Sequence, residues 1–443
     1  MMERLVFHVD VNSAFLSWSS AQRLKDDPEA EDLRLIPSVV GGDPEKRTGV
    51  VLAKSVPARK FGVRTGEPLA QAFRKCPDLV VIPPDFRIYK RASAAMMEML
   101  AEYAPVVEKF SIDEAFLDMS GTNKLYPDPI TLAYDIKDRI HRELGFTVNI
   151  GISQNKLLAK MASDFEKPDK VHTLFRNEIR EKMWNLPVGD LLYVGYHSVE
   201  KLKRMDIQTI GQLACTPEAV LKSVFGMKQA HQMHNYANGI DDSPVGEGEV
   251  ANKGYGNSVT LPYDLKQASE VYPVLLALAD SVGSRLRADH MMASSISVSL
   301  KDNTFHTISH QATLPESTDI TDVIYEMSVE LFDQLWDCKT PIRLLGISAG
   351  KAEEAGYYQY TLFDEQKRQK VRSLDRMVDT IRNRYGDGAL KRGTLLDAAQ
   401  TERVGRKHRR ENPEEVMKNR KKEKQQDETA GNREAAETHE TEE

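Results

Sequence analysis

Two adjacent carboxylates, Asp113 and Glu114, stand between apolar runs, with Val106-Val107 before them and Ala115-Phe116-Leu117 after. Unpaired charge is costly to bury, so the stretch FSIDEAFLDMSG calls for a cationic partner. Within a single strand, neighbouring side chains point to opposite faces of a sheet, and the two acids would not easily share a ligand. A hairpin resolves this. With Val106–Phe110 and Ala115–Met119 as its strands, Ser111–Glu114 is the connection and both carboxylates project at one lip. Asp10 lies near the end of another apolar run, Leu5–Val11, and supplies a third carboxylate. Converging acids of this kind repel strongly unless divalent cations neutralise them, and hard carboxylate oxygens suit Mg²⁺. Taken singly, each acid is as readily a surface-turn or helix-cap residue; Asp118 fits that role better, as an acid flanking the hairpin.

At 443 residues the chain has room for several domains of roughly 100–200 residues each. No apolar run approaches the ~18–20 residues of a membrane span. The start, Met1–His8, is too short and too acidic for a secretory signal. Cys76, Cys215 and Cys338 lie far apart without metal-ligand spacing, which fits free thiols in a reducing cytosol. The formal net charge of −7 argues against a nucleic-acid binder. Basic residues nevertheless bunch at Arg59-Lys60, Lys201–Arg204, Lys367–Lys370 and Arg382–Arg384, and a polyanion responds to local field rather than net charge.

Pattern and punctuation predict the elements. Leu5–Val11 reads as a buried strand and Ala14–Leu24 as a helix. Pro37–Ser55 reads as two strands joined by the turn Gly41-Gly42-Asp43-Pro44. Gln71–Cys76 is a short helix and Leu79–Pro83 another buried strand. Tyr89–Tyr103 is helical, with Met96, Met97 and Leu100 as core candidates. A helix over Leu132–Glu143, a strand over Thr147–Ile152 and a helix over Lys156–Asp164 complete an α/β or α+β domain with an insertion near residues 20–75. Residues 175–240 read as short helices joined by Gly-containing turns, and Gly239–Lys253 as a linker. A separate α+β domain follows, with strands at Ser295–Leu300 and Leu344–Ala349 and amphipathic helices at Ala268–Arg287 and Asp322–Leu335. Beyond about residue 400 the charged, apolar-poor sequence is expected to be disordered.

The segment FSIDEAFLDMSG (110–121) resembles the signature of the Y-family DNA polymerases, the DNA polymerase IV and UmuC group. HVDVNSAFLSW (8–18) resembles the family's first metal motif, and VPARKFGVRTGEPL (56–69) its fingers motif. GISQNKLLAKMASDFEKPDK (151–170) resembles its late palm motif, and KGYGNSVTL (253–261) the start of its little finger. Several long motifs in the family's order, across most of the chain, make the resemblance specific. It implies an α+β multidomain right hand: palm at 1–18 and 77–174, fingers at 19–76, and a helix-hairpin-helix thumb at 175–240. It further implies a linker at 241–253, a little finger at 254–358, a clamp-binding peptide and helical segment at 359–400, and the charged tail at 401–443.

The implied activity is template-directed nucleotidyl transfer of dNTPs onto a primer 3′-hydroxyl, error-prone and bypassing damaged DNA, without a proofreading exonuclease. By resemblance, Asp10, Asp113 and Glu114 are catalytic and, with the backbone carbonyl of Val11, hold two Mg²⁺ ions. Phe15 matches the aromatic gate against a 2′-hydroxyl, and Arg59 and Lys167 match the triphosphate-contacting cations. Val56 stands where the family commonly has Tyr, and valine cannot donate to a phosphate; either triphosphate affinity is lower or Ser55 substitutes. Asn12 replaces an Asp common in one branch and is not needed as a ligand. The thumb keeps Gly195 but has Tyr196-His197 where a second Gly is common, with His197 expected exposed. Gln359, Leu362 and Phe363 match a bacterial sliding-clamp peptide; alternatively Leu362 and Phe363 are core residues of a last strand. The expected partners are primer–template DNA, dNTPs and the clamp, for a monomer in the cytoplasm, at the nucleoid when engaged. Two other readings are a nucleotidyl cyclase on a related sheet, disfavoured by segments 175–240 and 359–363, and a DNA- or clamp-binding scaffold with lost or weak polymerase activity.

Overall fold

The run VFHVDV forms a strand, β1 (Val6–Val11), that is buried at every position, as a central strand covered on both faces must be. The computed structural model describes residues 4–43, 47, 49–246, 252–354, 365–396, 398–401 and 404. The chain divides into two compact units, Met1–Val250 and Ala251–Glu443.

In the first unit β1 is followed by α1 (Ala14–Asp26), β2 (Ser38–Gly41), β3 (Val51–Lys54), α2 (Val56–Lys60), α3 (Leu69–Lys75), β4 (Val80–Ile82) and α4 (Phe86–Leu100). Then come β5 (Val106–Lys109), β6 (Glu114–Asp118), α5 (Pro129–Leu144), β7 (Val148–Ser153), α6 (Lys156–Ser163) and β8 (Val171–Thr173). The helices α7 (Tyr196–Arg204), α8 (Ile210–Cys215), α9 (Glu218–Phe225) and α10 (Met227–Ala237) end the unit. A five-stranded sheet runs in the order β5-β6-β1-β7-β8, antiparallel except for the parallel β7–β8 pair. The expected hairpin is β5–β6, with Glu114 as the first residue of β6 rather than the last of the connection.

Strand alternation sorts β1. Phe7, Val9 and Val11 join the apolar core against α1, α4 and α5, where Met96 and Leu100 are fully buried and Met97 is partly so. Val6, His8 and Asp10 face the other way. There Val6 and Phe116 pack on Ala159 of α6 and on Val245, so the front half of the expected linker lies against this face. Gly246 N donates to Glu108 and Leu157 N donates to Asp241, which fastens the same stretch.

A smaller sheet, β3-β2-β4, carries α2 and α3. Leu79–Pro83 was expected as a buried strand. The structure makes β4 an edge strand, with Val80 exposed and Val81 and Ile82 half-buried, because β2 takes the centre. Nor does a four-residue turn join β2 to β3; the connection runs over 42–50.

The second unit contains β9 (Gly254–Leu265), α11 (Ala268–Ala288), β10 (Met291–Asp302), β11 (Thr307–Thr318), α12 (Thr321–Leu335), β12 (Ile342–Glu354) and α13 (Glu365–Tyr385). Its antiparallel sheet, β11-β10-β12-β9, buries one face under α11 and α12. α13 is held by charge. Arg287 of α11 donates to Asp379 (2.7 Å), to Asp375 (3.1 Å) and to the Asp319 carbonyl (2.6 Å). Asp375 also accepts from Thr321 N at the start of α12 (2.9 Å), Arg372 pairs with Asp319 (2.6 Å) and Arg382 with Asp280 (2.5 Å). Among the described residues of α13 the buried ones are the charged Asp375 and Arg382, while Val371, Val378 and Ile381 are half-buried and Leu374 and Met377 are exposed. Among the described residues no helix is long and apolar enough to cross a membrane. Cys76 is buried and Cys215 and Cys338 are exposed, all as free thiols.

Candidate active site

Residues directly opposite on antiparallel strands share a face of the sheet. Asp10 on β1 pairs with Glu114 on β6 and with Asn149 on β7, so the two acids stand side by side on the face covered by α6. Asp113 precedes the strand. Its carbonyl accepts from Val11 N (3.1 Å), which ties it to the end of β1. Its carboxylate is turned to Ser111, whose hydroxyl donates to it at 2.6 Å. The sequence places three acids at one end of the sheet, but only Asp10 and Glu114 face one another. Among the described residues, no group of three or more His, Cys, Asp or Glu side chains is assembled as a metal cage. Like charges this close repel, and each acid has found its own local partner instead.

For Asp10 that partner is Lys167, 3.1 Å away, which also reaches Asp164 at 2.8 Å. Glu114 pairs with Lys160 of α6 at 2.8 Å. Burial pushes the Asp10 carboxyl up to about 7; Lys167 opposes the rise and the neighbouring Glu114 adds to it. Burial would also raise Glu114, but the His8 ring and the Lys160 ammonium outweigh it and hold Glu114 well below the usual carboxylate range. Lys167, which burial alone would push down, is held above its ordinary value by Asp10 and Asp164. The two acids thus titrate as a pair, the charge on each bearing on the other. Two carboxylates on adjacent strands, one of them straining to keep a proton at neutral pH, are a donor set that fits a hard divalent cation.

Buried amides set the frame. Asn149 Nδ2 donates to the carbonyls of Ser163 (3.0 Å) and Glu166 (2.6 Å) and fixes the end of α6 and the loop that carries Lys167. Asn12 donates to Asn149 (3.0 Å) and accepts from Asp169 N (2.9 Å), so this departure from the family's Asp serves that loop. Sequence reading missed Asn149, Lys160 and His8; an amide inside the apolar strand VNIGIS was the one available signal.

Phe15, on α1, stacks on the buried Tyr89 (ring centroids 4.6 Å apart) and meets Phe86 edge-on. Val56 and Arg59 lie on α2, on the smaller sheet, and among the described residues none of the three acids pairs with Arg59. Val56 is exposed. Ser55 is no substitute for the missing phenol: it is buried, caps α2 by accepting from Ala58 N (3.0 Å) and donates to the Ile36 carbonyl (2.7 Å). Burial, and then the nearby Arg59, push the Lys54 ammonium down, so a cation at the end of β3 stands close to one on α2. Tyr196 and His197 are exposed at the start of α7, behind the N-cap Gly195. Gln359, Leu362 and Phe363 lie outside the described residues.

Comparison with known proteins bears on this arrangement. The model of the impB/mucB/samB family matches residues 9–164, and that of the family's C-terminal domain matches 252–362. A thumb-domain model described for DNA polymerase-iota matches 189–241. The chain is 43% identical to DNA polymerase IV of Clostridium acetobutylicum, over 89% of this chain and 99% of that one. It is 38% identical to DNA polymerase IV 2 of Bacillus subtilis, over 90% and 96%. A solved Y-family DNA polymerase chimera superposes with a TM-score of 0.67 at 23% identity, over 79% of this chain and 99% of that one, and so shares the fold. Matched by these models in this order and by DNA polymerase IV over most of its length, the chain belongs to the Y-family DNA polymerases, within the impB/mucB/samB family.

Proposed function

We propose that this protein is a DNA-directed DNA polymerase that extends a primer across damaged template. The observation that carries the reading is Asp10 beside Glu114 on adjacent strands, each with its own lysine, in a chain 43% identical to a DNA polymerase IV. In the reaction the primer 3′-oxygen forms a bond to the α-phosphorus of a dNTP. The bond to the bridging oxygen of the β-phosphate breaks, pyrophosphate leaves, and the hydroxyl proton passes to solvent. Asp10, Asp113, Glu114 and the Val11 carbonyl are the groups that would hold two Mg²⁺ ions, which when bound lower the pKa of the 3′-hydroxyl and neutralise charge on the phosphoryl oxygens. The protein's own share is positioning and electrostatics. Lys167 is the counter-charge to Asp10 and serves the triphosphate, with Arg59 and its neighbour Lys54 as further cations. The Phe15 ring, backed by Tyr89, is the group that would exclude a 2′-hydroxyl.

The assignment of 1–18 and 77–174 to palm, 19–76 to fingers, 175–240 to thumb and 254–358 to little finger follows the same reading. So do a cytoplasmic monomer and a sliding-clamp partner bound through Gln359–Phe363. The test is primer extension by the full chain. Templated addition of matched dNTPs with Mg²⁺, lost on chelation and continuing opposite an abasic site, is expected; formation of cyclic nucleotide without primer, or no templated addition, overturns the reading.

The exposed Val56 carries a further expectation. Val56→Tyr restores a phenol able to donate to a phosphate oxygen, a charge-assisted bond of ~1.5–3 kcal/mol at most. A fall of roughly 3- to 30-fold in KM for dNTP is expected in steady-state single-nucleotide addition, with kcat changed less.

A further inference from the structure

His8 is fully buried, two residues before Asp10 on the same face of β1. Its place follows from Gly151, its partner on β7. A Cβ at Gly151 would lie 1.9 Å from the Ala159 carbonyl oxygen and 2.5 Å from Ser163 N, so only glycine lets the α6 backbone rest directly on the sheet. That approach brings the Ser163 hydroxyl to 2.8 Å from His8 Nδ1. Phe116, opposite His8 on β6, packs against the ring at 4.6 Å between centroids and fixes its tilt. The other ring nitrogen, Nε2, is then aimed at Glu114 Oε2, 3.8 Å away, too long for a hydrogen bond, and it has no other partner.

The hydroxyl hydrogen of Ser163 decides what Nε2 carries. A charged ring carries a hydrogen on Nε2 in any case; a neutral ring holds one proton, on Nδ1 or on Nε2. Ser163 Oγ lies 2.8 Å from the Lys160 carbonyl and 2.8 Å from His8 Nδ1, and has one hydrogen for the two. Given to the carbonyl, it forces the ring proton onto Nδ1 and leaves Nε2 as a bare, buried acceptor facing a carboxylate. Leaving a buried acceptor orphaned costs more than the bond to the carbonyl returns. Given to Nδ1, it sets the ring proton on Nε2, pointing at Glu114, where a shift of about 1 Å completes a charge-assisted bond. The second arrangement wins.

We infer that His8 is a positioning residue for Glu114, its Nε2–H aimed by Ser163 at the carboxylate that Lys160 holds from the other side. The inference rests on the reading of Asp10 and Glu114 as divalent-cation ligands. Supports of this kind, one step behind a ligand, typically govern metal affinity or activity by about 10- to 100-fold.

The test uses the full chain with a dideoxy-terminated primer–template and matched dNTP, and follows free Mn²⁺ by electron paramagnetic resonance. His8→Phe keeps the ring shape without either nitrogen and is expected to weaken Mn²⁺ binding roughly 10-fold or more. His8→Gln, whose amide nitrogen reaches about where Nε2 does, should stay within about 3-fold of wild type. Ser163→Ala, which no longer sets the proton on Nε2, should fall between them. Circular dichroism checks the fold, and if His8→Phe fails to fold, the Gln and Ala variants decide. Wild-type Mn²⁺ affinity in folded Ser163→Ala and His8→Phe, or His8→Gln as weak as His8→Phe, overturns the role. No Mn²⁺ binding by the wild type overturns it together with the ligand reading. A wild type that binds Mn²⁺ with the expected ranking yet extends no primer sinks the polymerase reading and leaves the role of His8 standing.

Discussion

Asp10→Asn is expected to remove at least ~10³-fold of primer-extension rate and yet to yield a protein that melts higher than wild type at pH 8 in the absence of metal. Both effects come from one buried carboxyl. Its pKa rises from 3.8 in the unfolded chain to about 7 in the folded one, so the folded state binds the proton more tightly. Stability from this group is therefore fully present below about pH 4 and is lost as pH rises through about 7. Asparagine removes that loss, and Lys167 keeps Asp164 as a partner at 2.8 Å. Calorimetric melting in EDTA between pH 4 and pH 8 should show a gap that is largest at pH 8 and closes toward pH 4. Extension by the variant at more than a tenth of the wild-type rate would remove Asp10 from the chemistry. Asp113→Ala should lose extension as completely with little change in melting, since its carboxylate bonds to Ser111 rather than to a buried cation.

The second large effect lies in the other unit. Arg287→Met leaves Asp375 and Asp379 without the guanidinium that bridges them, and breaking a buried ion pair from one side costs about 3–5 kcal/mol. Lysine should not rescue it, because the fork that reaches two aspartates and the Asp319 carbonyl at once is a property of arginine. Urea unfolding followed by protease susceptibility of the second unit should show the midpoint fall in both variants, with α13 the first element to be cut. An unfolding free energy within about 0.5 kcal/mol of wild type would mean that the network contributes nothing net.

Much of this was legible in the sequence where periodicity and punctuation agree. The runs that became β1, α1, α5, β7 and α6 combine clean apolar patterns with capping residues such as Asp128 and Asn155, and their ends fell within a few residues. β9 and β11 were not read, because their apolar positions alternate with exposed polar ones and β11 is largely solvated at the sheet edge. β4 read as buried because three consecutive apolar residues look alike at the centre of a sheet and at its edge. The acids were legible as types, and Asp10 and Glu114 do meet. Their face was not legible, since a one-residue difference in where β6 begins decides whether Asp113 or Glu114 joins Asp10. His8, Lys160 and Asn149 could not be paired from sequence at all. They meet only through strand register and the bare backbone at Gly151. Ser55 could have been ruled out earlier, because Ser-Val-Pro is the pattern of a helix cap with Pro in the first turn.

The ionic seat of α13 also changes what the stretch before it is. Every buried residue of the second unit's apolar core lies between Tyr255 and Ala349, so α13 adds no buried apolar residue to it. Yet the Arg287 and Arg382 contacts fasten it in place. Residues 355–364 therefore run between two moorings, the end of β12 and the start of α13. A docking partner would meet a bight of rope rather than its loose end. With the flanking elements fastened, part of the chain entropy that docking costs is already spent. Cutting the chain within α13 would turn the bight back into a tail without removing one residue of the stretch itself.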